Sequence, residues 1–567
     1  MAAAAPDFRS TLRGAPAIAG TTLALAVVLA ALGPPFLCAP PGPDPAMYDV
    51  QARTVLDGGV LYRDVVEPNL PGAVWIHLAV RRCAGWSSEA LRAFDLAWFL
   101  ATAVLAAAFV RGSGRGAAAL RGLVVLALIG GYASLSEWCH CQRDVWLLPF
   151  ALGALHLRVR AVESADRSEA MSTRARLRRI SEGVLWGLAV WLKPHIILPA
   201  IAALAAGELA VRRSTSRSGP AQRLGRELAE MVSGGLLVGA IGSAWLIATG
   251  AWQPMWTMLR EWNPEYLAAS AARWTWPRFW TMQARMAPWS LIQIAAAATA
   301  FAKLRNVIAL RGHADRAAAS RNAVLAGAWL GWCVQAIFLQ HLFDYVYVPG
   351  LVLGATLVAS AQARSLSERL EARSLRIVAA SLLVGVSLIL NAGWVAAWPQ
   401  CVREGSTPAV RDRLARLPVT NWSELSQVEA FLAAEMIRDG ELTAYHTHTV
   451  HLLRQLDIRP STRFVLTETH IRLFPSRTTE IKAALDASGQ QYIVVNLLEA
   501  GYETAIPRTD RDPESWRDYC DAESMRRFPF HLPAALRAGR YVVLRATGAA
   551  AELETRFLPL AAKTAGL

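Results

Sequence analysis

Residues 44–72, DPAMYDVQARTVLDGGVLYRDVVEPNLPG, decide how the rest of the chain is read. The stretch follows the first long apolar run and sets five carboxylates (Asp44, Asp49, Asp57, Asp64, Glu67) among two arginines, two tyrosines and a Gly-Gly turn. Carboxylates beside a hydrocarbon layer lose solvation unless they have partners or work to do. No other part of the chain is so densely arranged for chemistry.

The surroundings are apolar. With 54% hydrophobic residues and a mean hydropathy of +0.28 over 567 residues, the chain exceeds the apolar share of soluble domains, usually about 45–50%. A net charge of +14 would suit nucleic acid, but the basic residues fall in short clusters between apolar runs, the distribution that membrane orientation produces. Nucleic acid is therefore excluded as a partner. Seven cysteines, at 38, 83, 139, 141, 333, 401 and 520, build no disulfide framework. Only Cys139-His140-Cys141 is dense, and no second ligand pair stands near it for a metal.

The run 17–37 has about the twenty residues that cross a bilayer, and Arg9 and Arg13 place the N-terminus, 1–14, in the cytoplasm. It reads as a retained anchor, because further spans follow and Pro34-Pro35-Phe36-Leu37 is a poor cleavage site. Ten more runs, at 90–110, 117–135, 145–157, 180–192, 196–210, 231–249, 290–302, 323–339, 346–363 and 377–397, bring the expectation to about eleven spans. Five arginine-rich clusters alternate with them and share one side: Arg111–Arg121, Arg174–Arg179, Arg212–Arg223, Lys303–Arg316 and Arg364–Arg373. That side is the cytoplasm.

The other side receives 44–72, 137–144, Lys193-Pro194-His195, 250–288, 340–344 and everything after Trp398. Pro194 cannot donate a helical hydrogen bond, so the short runs around it read as a broken hairpin. The segment 250–288 interleaves six tryptophans with arginines and is expected to lie on the membrane. After Trp398 the composition turns polar. The fold class expected is an α-helical polytopic membrane domain over 15–397, with an outer loop at 38–89, and a soluble α/β domain over 398–567. In that domain helices are expected over 424–437 and 479–487, and strands over 463–466, 491–496 and 540–545. His446, His448 and His451 share no single helical face and read as a surface turn.

The pattern D-x3-Y…GG-x2-YRD…PG resembles the first outer loop of the C-type glycosyltransferase superfamily (GT-C), which includes the aminoarabinose transferases and protein O-mannosyltransferases. The resemblance puts Asp44 where that superfamily's catalytic aspartate stands, with Tyr48 and Asp49 just after it. An N-cap before a helical run is the other reading of Asp44. Tyr62-Arg63-Asp64, Glu67 and Asn69 follow; related sequences carry a lysine for the donor phosphate where Asn69 stands here. The phosphate charge then falls to Arg63, Arg143 or Lys193. Gln142-Arg143-Asp144 resembles a Q-R-[DE] element of bacterial members, and Leu192-Lys193-Pro194-His195 resembles their LKPH element. The other reading of both is an anchoring ion pair or a snorkelling lysine. His341, Asp344 and Tyr345 join Tyr48 and Tyr62 as pocket candidates.

The resemblance implies an inverting transferase of the bacterial inner membrane with its C-terminal domain outside the cytoplasm. It would move a sugar from a polyprenyl-phosphate donor to a lipid, glycan or protein acceptor, with Asp44 as general base and Asp49 and Asp64 as further catalytic candidates. No cofactor is required, and a divalent cation is left open. Two other classes stay in view: a transporter or flippase for lipid-linked sugars, which would favour inverted repeats and mid-membrane charges, and a non-catalytic assembly or sensor protein.

Overall fold

The computed structural model describes residues 8–163, 172–214, 220–272, 274–309, 316–340, 343–502, 512, 514–520, 523, 525 and 527–546. Among these residues nine helices are long and apolar enough to cross a membrane: Ala19–Cys38, Ser88–Ala107, Arg115–Ala133, Arg143–Glu163, Pro194–Arg212, Arg223–Ala248, Leu291–Ala309, Asp344–Ala361 and Arg373–Leu390. The protein is thus a multi-pass membrane protein. The two other expected spans are helical, within Thr173–Leu192 and Arg316–Phe338, but fall outside the nine. Four arginines and Glu182 occupy the first half of one, and Arg321, Asn322 and Gln335 dilute the other.

The chain divides into two compact units. The first holds Met1–Leu37, Glu89–Ala244 and Ser270–Arg403. Small residues let its helices approach closely: a Cβ on Gly183 would stand 1.8 Å from the Met231 carbonyl oxygen, and one on Gly234 2.0 Å from that of Ile180. Ion pairs join its helices: a buried one with Arg158 Nε 2.8 Å from Glu182, and a part-buried one with Arg321 Nη1 3.2 Å from Glu163. The expected break is present. Pro194 forces the preceding Lys193 into extended backbone (φ −155°, ψ 107°), and a 3-10 turn over Pro194–Ile196 leads into the Ile197–Ser214 helix.

The second unit gathers Cys38–Ser88, Trp245–Ala269 and Glu404–Leu567. Its sheet has the order β1-β2-β4-β3, with β1 Leu442–Ala444, β2 Tyr492–Asn496, β3 Ala534–Ala538 and β4 Tyr541–Arg545. β1 runs parallel to β2, while β4 is antiparallel to both β2 and β3. All five residues of β2 are buried, as its unbroken apolar run requires of a central strand. Helices Trp422–Ala434 and Thr478–Asp486 fall where expected. The strand expected at 463–466 is a bend instead: Phe464, Val465 and Leu466 are buried, but as irregular backbone. The histidine expectation is also corrected. His446, His448 and His451 are 3%, 5% and 1% exposed, because the chain leaving β1 turns into the core. Within 250–288, Trp262 is buried against Phe464 and Phe474 in this unit, whereas Trp276 and Trp280 of the first unit are exposed.

Candidate functional site

The helix Pro43–Leu56 starts without a side-chain cap. Gly42 is its N-cap (ψ 170°), and Pro43 takes the first turn, where a missing N–H is harmless. Asp44 is therefore a first-turn residue and not the cap. The helix dipole favours a carboxylate there. Asp44 is half-buried, and Tyr48, one turn on along the same face, is 3% exposed.

Asp49 lies about 140° around the helix from Asp44. It is 2% exposed and accepts hydrogen bonds from Arg81 Nε (2.7 Å) and Nη2 (2.6 Å). His77 Nδ1 stands 2.8 Å away and Arg454 Nε 2.9 Å away. Burial alone would raise the Asp49 carboxyl, but the His77 and Arg81 hydrogen bonds and the Arg454 charge hold it well below the usual carboxylate range. Burial pushes the His77 imidazole down against the pull of Asp49, so a neutral ring donates its Nδ1–H to the carboxylate.

The following turn is built by glycine: Gly58 has φ +86°, and a Cβ on Gly59 would meet Thr54 at 2.7 Å. Tyr62 is 1% exposed at φ +70°, a left-handed conformation unusual for a bulky residue, and donates its hydroxyl to the Asn69 carbonyl at 2.8 Å. Arg63 grips Asp64 in two bonds, Nε to Oδ1 at 2.7 Å and Nη2 to Oδ2 at 2.8 Å. Chiefly through that grip the Asp64 carboxyl is held low. Glu67 is fully buried, and its Oε1 accepts from the backbone N–H (2.8 Å) and side-chain amide (2.6 Å) of Asn69. The loop carries few ungripped charges.

The first unit contains a second group. Lys193 and Asp144, with side chains 3% and 0% exposed, form an ion pair, and Arg143 Nε stands 4.0 Å from the other Asp144 oxygen. The Lys193 ammonium lies 6.0 Å from the Tyr345 ring, which stacks on Phe343 at 5.5 Å. Asp344 accepts from Ser136 Oγ at 2.7 Å, and His195 sits half-buried in the turn after Lys193. Three segments far apart in sequence thus bring Arg143, Asp144, Lys193 and Tyr345 together. His341 lies outside the described residues. Among the described residues no three His, Cys, Asp or Glu side chains are grouped to hold a metal ion.

Sequence reasoning passed over His77, Arg81 and Arg454. The signal for the first two was present: they stand four apart on the short apolar helix Gly72–Ala84. Asp95 was missed too. Fully buried within the Ser88–Ala107 span, it accepts from the Tyr132 hydroxyl and Trp146 Nε1, each at 2.8 Å. A lone carboxylate inside an apolar span is itself a functional signal.

No protein-family model matches the chain, and no curated protein matches it. Solved structures do. ArnT from Cupriavidus metallidurans, an aminoarabinose transferase, aligns at a TM-score of 0.51 and 14% identity over 92% of this chain and 97% of that one. The Archaeoglobus fulgidus oligosaccharyltransferase aligns at a TM-score of 0.46 and 12% identity over 84% and 69%. The same organism's AglB, solved with an inhibitory peptide and a dolichol-phosphate, gives a TM-score of 0.44 and 12% identity over 84% and 70%. These neighbours are GT-C membrane glycosyltransferases. The chain shares the fold of ArnT along nearly its whole length.

Proposed function

We propose that this protein is an inverting glycosyltransferase of the bacterial inner membrane. It moves a sugar from a polyprenyl-phosphate donor to a glycan, lipid or protein acceptor on the outer face. The N-terminus is cytoplasmic and the domain over 398–567 extracytoplasmic, as the arginine alternation indicates. The observation that carries the reading is the buried Lys193–Asp144–Arg143 group at the ends of membrane helices. A buried ion pair recovers little more than it loses in solvation, so its presence is better explained by work than by stability. The shared fold with a membrane glycosyltransferase adds to that argument.

In the proposed reaction Asp44 takes the proton of the acceptor hydroxyl as its oxygen attacks the anomeric carbon. The bond from that carbon to the phosphate oxygen breaks, and the electron pair leaves on the polyprenyl phosphate. The developing phosphate charge needs cations, and Arg143 and Lys193, both beside Asp144 in the first unit, are the candidates to hold it. Asp44 is taken as the base because the resemblance puts it where the superfamily's catalytic aspartate stands, while Asp49 and Asp64 each hold an arginine. The test supplies membranes containing the protein with a panel of radiolabelled polyprenyl-phosphate sugars. Label should leave one donor lipid for an acceptor. Label that stays on every lipid, while moving across the bilayer, would make the protein a flippase.

A further inference from the structure

We infer that Asp49 is a positioning residue whose buried ion-pair cluster locks the helix carrying Asp44 to the C-terminal chain through Arg454. The inference rests on the reading of Asp44 as base. One carboxylate here receives groups from two other segments: His77 and Arg81 from the Gly72–Ala84 helix and Arg454 from the Val450–Gln455 helix. The same two arginines fasten the loop after Ala84. Arg81 Nη1 donates to the Ser87 carbonyl at 2.7 Å, and Arg454 Nη2 to the Trp86 carbonyl at 2.7 Å. The Trp86 ring also lies 5.4 Å from the Arg53 guanidinium and 5.7 Å from that of Arg81. About one turn along the helix from Asp49, Arg53 adds a further tie: its Nη2 donates to Asp457 at 2.9 Å while its Nε donates to Asp57 at 3.2 Å.

Apolar side chains would join these segments at lower cost than a buried carboxylate and two guanidiniums. What the ions add is register: the Arg81 fork on both Asp49 oxygens accepts only one rotation and height of the helix, and the Arg454 guanidinium, Nε 2.9 Å from Asp49, ties that carboxylate to the C-terminal chain as an ion pair. The face that holds Asp49 is spent on the lock. Asp44, about 140° around the helix, is left on a different face with its angle fixed. A misplacement of about 1 Å at a reacting group can cost about 10²-fold in rate, so the lock acts on turnover and not on donor affinity. The C-terminal chain then belongs to the catalytic apparatus in addition to any part in choosing the acceptor.

Replacing Asp49 itself would strand two buried guanidiniums and can unfold the protein, so Arg454 is the better probe. Arg454→Gln leaves Asp49 with Arg81 and His77. In the full chain, with whichever polyprenyl-phosphate sugar the panel identifies, Arg454→Gln should lower kcat per folded enzyme about 10- to 100-fold. Donor KM should be unchanged, and Arg454→Lys, which keeps the charge, should recover part of the loss. Amide hydrogen exchange over 46–56 should rise in Arg454→Gln without any donor present. Wild-type kcat together with wild-type exchange over 46–56 would overturn the lock. Asp44→Asn, run beside it, separates the two claims. Loss of turnover in Asp44→Asn with wild-type kcat and wild-type exchange in Arg454→Gln overturns the lock and leaves the base. Near-normal turnover in Asp44→Asn overturns the base reading, and the exchange data still decide the lock.

Discussion

Removing the Lys193 ammonium tests whether the buried cation group serves the fold or the donor. Lys193→Met keeps the length of the side chain and deletes its charge. Asp144, 0% exposed, is then left with only Arg143 at 4.0 Å. Breaking one partner out of a buried pair costs about 3–5 kcal/mol, and the distant Arg143 recovers a small part of that. Unfolding in detergent should therefore show a loss of about 3 kcal/mol. The double variant Lys193→Met/Asp144→Asn removes the stranded charge and should return to within about 1 kcal/mol of wild type. Donor binding should behave differently. A charged hydrogen bond to phosphate is worth about 1.5–3 kcal/mol, so single and double variants alike should lose about ten- to a hundredfold in donor affinity. Donor affinity that returns with stability in the double variant would refute the phosphate role and make the group an anchor.

Four further outcomes follow from the packing and the titratable groups. Gly183→Ala should destabilise the membrane unit by about 1–3 kcal/mol in the same unfolding assay, since its Cβ would overlap the Met231 carbonyl oxygen at 1.8 Å. Tyr62→Phe should cost about 1 kcal/mol, because the Asn69 carbonyl loses the hydroxyl at 2.8 Å. Burial holds His446 and His448 at about 3, below an unfolded value of about 6.5. Their contribution to stability is complete above about pH 6.5 and is lost as the pH falls towards 3, and His448→Gln should flatten that slope in a series of melts against pH. Glu499 works in the opposite sense. Burial pushes it up to about 7 from an unfolded value of about 4.3, so Glu499→Gln should stabilise the protein at pH 8 relative to wild type.

What the sequence revealed depended on local periodicity. Long apolar runs and the helix-breaking Pro194 announced the spans and the broken hairpin, and the branched run Tyr492–Asn496 announced a buried strand. Its reading failed where burial comes from distant partners. Phe464-Val465-Leu466 has the composition of a strand, but among the described residues no strand pairs with it. The histidines after β1 look polar, yet two find partners inside the core: His446 accepts from the Asn496 N–H at 3.0 Å and His448 bonds Thr420 at 2.8 Å. The third, His451, packs on Trp422 at 4.6 Å. The other reading of Asp44, a cap suggested by Asp-Pro, fails because Pro43 opens the helix one residue earlier with Gly42 as its cap. Within the candidate site, Arg143, Asp144 and Lys193 were legible as elements of a family pattern. The Asp49 cluster was not, since its companion tie from Arg53 to Asp457 spans 404 residues and no local pattern reports such a pairing.

The central claim is that Asp44 acts as general base, and its most direct test is the turnover of Asp44→Asn at measured donor binding. Asparagine keeps the shape and forgoes a first-turn charge on the helix dipole, worth about 0.3–1 kcal/mol of stability. General-base assistance contributes about 10²–10⁴-fold. The account predicts that label transfer from the polyprenyl-phosphate donor falls by that factor while donor binding and expression hold. Near-normal transfer by Asp44→Asn would contradict it.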